Sequence, residues 1–337
     1  MKILIRFSNN TTFLPSRNFL EVISEIEKSE VFKILRELPK GAVLHAHEET
    51  IVSLDYKLNN VSYRENLYVC DRNNSLKLKF FNNPDETCDW QLLSEVRQDL
   101  QQAEAINDRI RQSLTMITEN PRSAYPTVDK AWEKIQEDKG EPLIKFADKL
   151  NAVSTKIKFF FHAGETNWNG LSTDLNLLDA LLLNTKRIGH GYALTKHPLL
   201  WNLVQQKGIA VEICPISNQV LSLVEDMRNH PATTLFASGS PIVISSDDPG
   251  LWGVKGLSYD FYEAFMGLMS ATSDLRSLKQ LAMNSLIYSS MNDQEKNDAL
   301  VLWQDKWDVF VNKLADLFLN DNRWQRLFHP SLYHQYT

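Results

Sequence analysis

The chain has 337 residues, of which 43% are hydrophobic and 23% charged, and its formal net charge is −6. This length suffices for one large domain, or for one domain with an inserted or appended piece. The acidic balance and the absence of a basic run argue against nucleic acid as the main partner. No stretch approaches the roughly 20 apolar residues that a membrane span needs.

Signals for export point in two directions. The apolar run at the N-terminus, Ile3 to Ile5, ends at Arg6 and is shorter than the roughly 7–15 residues of a signal-peptide core. Glycosylation triplets and a pair of cysteines in one polar segment favour an extracellular protein. The triplets begin at Asn9, Asn10, Asn60 and Asn73, and the cysteines are Cys70 and Cys88. A Cys70–Cys88 disulfide is predicted, with Cys214 as a buried thiol, and the localisation stays open.

The first part of the chain mixes element types. Residues 18–38 have helical periodicity, and the apolar run 42–46 predicts a buried strand. Residues 55–90 are polar and rich in asparagine, with short alternating patches, and predict an inserted small domain with short strands. Residues 91–118 predict one long amphipathic helix or two shorter ones.

From residue 142 onwards, strands and helices alternate regularly. The strands are continuous apolar runs, as in parallel sheets covered on both faces, so the pattern predicts a parallel α/β fold. Strands are predicted at 157–162, 187–190, 209–214 and 241–246; helices are predicted at 142–152, 173–183, 198–206, 258–269, 274–288 and 293–318.

Polar motifs follow the predicted strands at the points where they end. In a (β/α)8 barrel this edge carries the active site, because the loops from all strands converge there. Ionisable groups at the ends of apolar strands are costly to bury without a partner, and a metal or a substrate can supply one. The motifs are His45-Ala46-His47, His162-Ala163-Gly164-Glu165, Gly189-His190-Gly191 and Ser246-Asp247-Asp248-Pro249.

These motifs contain a ligand set for one zinc ion. His45 and His47 lie on the same face of a strand, because side chains alternate with period two. With His162 and Asp247 they form a suitable set of Zn²⁺ ligands. Such a metal lowers the pKa of a bound water towards neutrality.

Three further residues are candidates for proton transfer, for handling the water and for binding the substrate. Glu165 follows His162 by three residues and is the candidate proton shuttle, and His190 can orient or deprotonate the water. Asp248 can accept a hydrogen bond from a ring nitrogen or amino group of a substrate. Each motif alone has an ordinary explanation, such as a helix start for Asp-Asp-Pro, but the combination indicates one site. The other histidines, His197, His230, His329 and His334, are assigned to loops, helix starts and the tail.

The motifs closely resemble those of the adenosine deaminase superfamily, specifically its extracellular adenosine deaminase growth factor family. The resemblance covers most of residues 20–318 and includes LPKGAVLHAH, YRENLYVC, FFFHAGETNW, LNTKRIGHGYAL, EICPISNQVL and VISSDDPGLWGVKGLSYDFYEAF. It implies a metal-dependent-hydrolase TIM-type (β/α)8 barrel that uses zinc to hydrolyse adenosine or 2′-deoxyadenosine to inosine or 2′-deoxyinosine and ammonia. Family members also dimerise.

The resemblance assigns roles to individual positions. It implies that Glu165 protonates the purine ring, that His190 handles the attacking water and that Asp248 binds the purine edge. Trp132 is similar to a tryptophan that borders the pocket. The ligands implied for zinc are His45, His47, His162 and Asp247. The segment after the first strand resembles an inserted substrate-proximal domain, whose disulfide matches Cys70–Cys88.

The expected domain organisation follows from this resemblance. The predicted units are an N-terminal helical segment at 1–40, the first barrel strand at 41–54, the inserted domain at 55–128, the remainder of the barrel at 129–320 and a tail at 321–337.

The sequence also departs from the family pattern. Glu48 stands where relatives usually carry the aspartate expected to bind a ribose hydroxyl. The segments 131–135 and 136–140 abut where relatives carry three more βα units, so about five barrel strands are expected instead of eight. The N-terminal dimerisation segment is largely missing as well. A contracted sheet with two open edges, or with its first and last strands paired, is the expected result.

Three functions therefore compete. The first is zinc-dependent deamination of adenosine, and the second is a catalytically impaired isoform with a binding or regulatory role. The third is a zinc amidohydrolase acting on amides, lactones or phosphotriesters. The motifs around His162 and Asp247 favour deamination over the third function, as does the absence of a lysine placed for a binuclear site.

Overall fold

The structure of the protein is a computed structural model that describes residues 13–47, 50–72, 75–136 and 158–320. Glu48, the predicted helix at 142–152 and the predicted tail at 321–337 lie outside these residues. Within the described part, no helix is both long enough and apolar enough to cross a membrane.

Two helices form within the segment 18–38, where helical periodicity was predicted. Helix α1 spans Phe19–Lys28 and helix α2 spans Glu30–Glu37. They are separated by Ser29, whose extended backbone (φ −66°, ψ 131°) interrupts the helical hydrogen bonds. The side chain of Asn18 caps α1 by accepting a hydrogen bond from the Leu20 amide, which satisfies one of the free donors of a helix start.

The inserted region forms a separate small module. Its antiparallel sheet has the order β2-β1-β3, and its own apolar cluster includes Leu58, Val69 and Ile110. Cys70 and Cys88 form the predicted disulfide, with Cα atoms 6.2 Å apart. The elements are α3 (Leu54–Asn59), β1 (Leu67–Arg72), β2 (Ser75–Phe80), β3 (Gln91–Leu92), α4 (Leu93–Val96) and α5 (Leu100–Ser113).

A main sheet of four parallel strands carries the rest of the fold, in the order β4-β5-β6-β7. Every residue of β5, β6 and β7 is buried, as the continuous apolar runs predicted. The strands are β4 (Phe161–Ala163), β5 (Arg187–His190), β6 (Ala210–Ile213) and β7 (Ile242–Ile244). The main core packs around this sheet and extends to α1, α2 and the last helices.

Helices precede, connect and follow these strands. The helix α12 continues directly into a π-helical turn, Ala264–Leu268. Short 3-10 turns lie at Leu14–Ser16, Val61–Tyr63, Leu194–Lys196 and Met227–Asn229. The helices are α6 (Pro121–Ala124), α7 (Val128–Gln136), α8 (Ser172–Leu182), α9 (Pro198–Gln206), α10 (Pro215–Val220), α11 (Ala232–Ala237), α12 (Ser258–Glu263), α13 (Leu275–Ile287) and α14 (Asp293–Asn320).

The predicted first strand, 42–46, is not a strand in the structure. It forms one isolated parallel bridge, between Ala46 and Asp247 just beyond the end of β7. The Asp247 amide donates to the His45 carbonyl at 3.1 Å, and the His47 amide donates to the Asp247 carbonyl at 3.1 Å. A ladder needs several consecutive pairs along a neighbouring strand, and β7 ends too early to supply them. Over the residues that the structure describes, the fold is therefore an incomplete α/β barrel of four strands and one bridged segment.

Candidate metal centre and active site

The bridge beyond β7 brings two predicted ligands to the carboxyl edge of the sheet. His45 and His47 flank Ala46, so both rings lie on the same side, with centroids 5.4 Å apart. Asp247, across the bridge, places Oδ1 3.2 Å from Nε2 of His45 and 3.0 Å from Nδ1 of His47.

The end of β4 adds the third imidazole. The His162 ring lies 4.5 Å from that of His45, and its Nε2 lies 3.2 Å from Nε2 of His47. The four predicted zinc ligands therefore lie next to one another, although the first strand is reduced to a single bridge.

The cluster also includes residues predicted for other roles. Ligand atoms of His45, His162, His190 and Asp247 all lie within 4.8 Å of one another, and a second group joins His47, Asp247 and Asp248. Asp247 belongs to both groups, so it is the centre of the site.

Two buried atoms of this cluster indicate that it fits a metal ion. His45 Nε2 and Asp247 Oδ1 have no hydrogen-bond partner in the described part of the chain. Leaving such a group unsatisfied costs about 1–3 kcal/mol, and a cation between these atoms removes that cost. Imidazole nitrogens with one carboxylate are the donor set that zinc prefers.

Backbone strain is concentrated at the same place. His190 (φ +62°) and Asp247 (φ +56°) adopt the left-handed conformation, which is unfavourable for residues other than glycine. Strained residues of this kind often cluster at functional sites, where the surrounding structure holds them in place. His190 is the last residue of β5, and Asp247 lies three residues after β7, so both stand at the carboxyl edge of the sheet with their side chains in the cluster.

Gly189 makes room for the metal ligands. A Cβ at this position would lie 3.0 Å from Cε1 of His45 and 3.2 Å from Cα of His162. Both distances are shorter than ordinary van der Waals contacts, so a larger residue here would push against His45 and the backbone of His162.

A buried carboxylate that sequence reasoning missed supports His45. Glu212 on β6 accepts a hydrogen bond from Nδ1 of His45 at 2.8 Å and one from Nε of Arg187 at 2.5 Å. Arg187 also donates from Nη2 to the carbonyl of Leu44 at 3.2 Å, which ties the bridged segment to β5. The available signal was a glutamate inside an otherwise apolar strand, since a buried charge needs a partner.

The candidate proton shuttle lies beside the cluster. Oε1 of Glu165 is 3.3 Å from Nε2 of His190, and both side chains are buried. On the other side of the ring, Nδ1 of His190 contacts the side-chain amide of Asn218 at 3.3 Å. The sequence analysis did not assign Asn218 to the site.

The remaining predicted residues fall into two environments. Oδ1 of Asp248 accepts hydrogen bonds from Nδ1 of His47 and from the Thr50 hydroxyl, each at 2.7 Å. Trp132 lies on α7 and lines an open cavity of about 1250 Å³, together with Glu165 and Trp168. This cavity gives Glu165 access to a molecule the size of a nucleoside.

The environments of the histidines shift their pKa values in opposite directions. Burial lowers the pKa of His45, but contacts with the carboxylates of Asp247 and Glu212 outweigh burial and raise it to about 10. Burial lowers the pKa of His190 well below its ordinary value, and the neighbouring imidazoles of His45 and His162 lower it further. Without a metal, the carboxylates therefore favour the charged form of His45, whereas burial favours the neutral form of His190.

Known proteins are similar to this chain over most of its length. The adenosine deaminase family model matches residues 103–304. Adenosine deaminase 2 of Sus scrofa is 34% identical over 90% of this chain and 85% of its own length. An adenosine deaminase of Phlebotomus duboscqi is 35% identical over 91% of this chain and 83% of its own. Adenosine deaminase 2 of Homo sapiens is 33% identical over 90% of this chain and 84% of its own.

The parallel α/β sheet and the imidazole–carboxylate cluster at its carboxyl edge are the features of a metal-dependent hydrolase. Within that class, the matched family model and the relatives at 33–35% identity show that this chain belongs to the adenosine deaminase family, in its growth factor branch, and is a hydrolytic deaminase.

The alignment with the Sus scrofa protein also shows how many positions of that relative have no counterpart in this chain. The match with the Sus scrofa protein extends over 432 positions, but only 90% of these 337 residues take part. About 130 positions of the relative therefore face a gap in this chain. A (β/α)8 barrel of about 250 residues devotes roughly 30 residues to each βα unit, so the difference equals the length of about four units.

Proposed function

We propose that the protein hydrolyses adenosine and 2′-deoxyadenosine to inosine and 2′-deoxyinosine, with release of ammonia. The observation that carries the proposal is the pair of ligand groups that share Asp247, one with His45, His162 and His190 and the other with His47 and Asp248, beside Glu165. The relatives named adenosine deaminase support the choice of substrate.

We assign one zinc ion to His45, His47, His162 and Asp247. When bound there, zinc supplies Lewis-acid activation of a water molecule at neutral pH. The hydrogen bonds made by the two first ligands suit this role. Nδ1 of His45 donates to Glu212 and Nδ1 of His47 donates to Asp248, which leaves Nε2 of each ring as the nitrogen for the metal.

Glu165 is the residue assigned to proton transfer. Its carboxyl group lines the large cavity and approaches the cluster at His190. In that position it delivers a proton to the purine ring nitrogen next to the carbon that water attacks, which makes the ring a better electron acceptor. After water adds, the bond from this carbon to the amino group breaks; one proton of the water leaves with the amino group as ammonia, and the other restores the proton on Glu165.

His190 and Asp248 are assigned to the water and to the purine edge. His190 is buried and faces Glu165 across 3.3 Å, so it can hold the attacking water beside the acid. Asp248 is fixed by His47 and Thr50, and we assign it to a hydrogen bond with the purine. Trp132 borders the cavity, and Glu48 is proposed to contact the ribose.

The proposed setting is extracellular, as the disulfide of the inserted module favours. Disulfides persist in oxidising compartments and are rare in the cytosol. The glycosylation triplets predicted from sequence fit the same compartment.

The first test measures bound zinc and turnover in one sample of purified protein. We expect about one zinc per chain, and conversion of adenosine to inosine that falls by at least about 100-fold in Glu165→Gln, since general acid catalysis contributes that much. Gln keeps the size of the side chain, so the zinc content stays unchanged. Stoichiometric zinc without turnover in the wild type would favour the impaired isoform, and turnover that survives Glu165→Gln would reject the role of Glu165.

A further inference from the structure

We propose that Asn218 and His230 are positioning residues that hold His190 as the neutral tautomer with its proton on Nε2, facing the active site. The three side chains form a buried chain of hydrogen bonds that leads from helix α11 to the metal centre. The inference concerns the same site as the proposed function, but the tautomer itself does not depend on the identity of the substrate.

The chain of hydrogen bonds begins at a backbone amide, which can donate but cannot accept. The backbone amide of Ala232 lies 2.9 Å from Nδ1 of His230. A backbone N–H can only donate, so Nδ1 of His230 accepts and carries no proton. The proton of this imidazole is therefore on Nε2. Burial lowers the pKa of His230 to about 3, in agreement with a neutral ring.

The next link fixes the orientation of the asparagine. Nε2 of His230 lies 2.9 Å from Oδ1 of Asn218, so the ring donates and the amide oxygen accepts. The amide nitrogen of Asn218 then points the other way, towards Nδ1 of His190 at 3.3 Å. An amide NH₂ can only donate, and Nδ1 of His190 is therefore an acceptor.

The consequence appears at the opposite end of the His190 ring. With Nδ1 accepting, the single proton of neutral His190 lies on Nε2. This nitrogen is 3.3 Å from Oε1 of Glu165 and 3.9 Å from Oδ2 of Asp247, and it has no hydrogen-bond partner within the described residues. His190 therefore presents an unused N–H donor to whatever occupies the site.

The same reasoning separates His190 from the metal ligands. Nδ1 of His45 donates to Glu212, so in the neutral ring that metal binding requires, its site-facing Nε2 carries the lone pair. His190 is in the same tight group of ligand atoms, yet its site-facing nitrogen carries a proton. In this tautomer it acts as a hydrogen-bond donor to the attacking oxygen, and it neither binds the metal nor begins as a base.

The test is a long-range ¹H–¹⁵N spectrum of the protein labelled at histidine nitrogens, with His190→Gln used to assign the His190 signals. We expect Nε2 of His190 to be protonated and Nδ1 to be of the unprotonated, pyridine type. A protonated Nδ1 in the wild type would overturn the inference. Turnover of adenosine is not needed for this result, so failure of the proposed function and failure of this inference are distinguishable.

A second experiment reverses the direction of the hydrogen bond between residue 218 and Nδ1 of His190. In Asn218→Asp the carboxylate can only accept, so it draws a proton to Nδ1 of His190 and leaves Nε2 bare. We expect the tautomer to reverse, kcat to fall by about 100-fold or more, and KM and zinc content to change less than about two-fold. The matched control is Asn229→Asp, an exposed position one residue before His230, which should leave the His190 signals and kcat unchanged. Unchanged His190 signals in Asn218→Asp would contradict the proposed role of Asn218.

Discussion

The Glu212 side chain is a buried contact of His45, one of the proposed zinc ligands. It links the imidazole of His45 to the guanidinium of Arg187 within a strand whose other residues are apolar. Carboxylates that accept the second N–H of a metal-binding histidine orient the ring and increase its basicity.

We expect Glu212→Gln to weaken zinc binding by about 10- to 100-fold, the range observed when such supporting residues are changed. The amide oxygen can still accept from His45, but the negative charge that strengthens the imidazole as a ligand is lost. Arg187 also loses its buried counter-charge, which lowers the thermal midpoint. Competition with a chromogenic chelator measures the affinity.

The matched control for this change is Glu104→Gln, an exposed position on α5. It should bind zinc as the wild type does. If Glu212→Gln binds zinc within about two-fold of the wild type, Glu212 does not support the ligand.

Two buried acids on α12 are expected to make the stability of the protein depend on pH. Asp260 and Glu263 are buried on α12, and their carboxyl oxygens have no hydrogen-bond partner in the described part of the chain. Burial raises the pKa of Glu263 from 4.5 to about 8. Burial raises that of Asp260 well above its ordinary value, and the charges of Glu263 and Asp247 raise it further.

The sign of this effect follows from proton binding. Between pH 4.5 and about 8 the folded protein keeps a proton on Glu263 that the unfolded chain releases, so stability falls as the pH rises. We expect Glu263→Gln to abolish this contribution and to stabilise the protein at pH 7 by up to roughly 3 kcal/mol, at 1.36 kcal/mol for each pH unit. Near pH 4.5 the variant and the wild type should be almost equally stable.

Urea unfolding at pH 5 and pH 7.5 measures the difference, with Glu104→Gln again as the control that leaves the pH dependence unchanged. An equal effect of Glu263→Gln at both pH values would show that packing, and not ionisation, accounts for it.

At the scale of elements, the sequence predicted best where the local pattern was strongest. Strand β5 has the predicted bounds, 187–190, and helix α9 has the predicted bounds, 198–206. The first is a short run buried on both faces. The second starts at Pro198, which suits the first position of a helix.

The segment 42–46 shows what a local pattern cannot supply. Its apolar residues satisfy the requirements of a buried strand, but strand structure also needs a neighbour along its length. In this chain that neighbour is reduced to the bridge at Asp247. The prediction that His45 and His47 share one face nevertheless holds, since alternation depends on the local backbone alone.

The supporting contacts of the site could not be predicted because they join distant parts of the chain. His45 and Glu212 are 167 residues apart, and His190 and Asn218 are 28 residues apart. Nothing in the local sequence of Asn218 or His230 distinguishes them from residues at ordinary helix starts. Ligand types and spacings indicated the chemistry, and only the fold shows which side chains orient them.

At the scale of the whole molecule, the site draws its ligands from separate parts of an incomplete sheet. His45 and His47 lie on the bridged segment, His162 on β4 and Asp247 after β7. The bridged segment is held by two backbone hydrogen bonds to Asp247 and by the contact of Arg187 with Leu44. Zinc would join all three parts at one point, so metal binding and the stability of the sheet are expected to be coupled.

We therefore expect zinc to raise the thermal midpoint of unfolding by about 5–10 °C. A ligand present at 1,000 times its dissociation constant stabilises the folded state by about 4 kcal/mol, and a protein of this size gains only a few degrees for each kcal/mol. Calorimetry of the protein with zinc and after removal by a chelator measures the shift. Glu165→Gln should keep the full shift, because the acid is not a ligand, and His45→Ala should lose it. A shift that survives in His45→Ala would mean that zinc stabilises the fold from another place, and that the four converging ligands do not form the metal site.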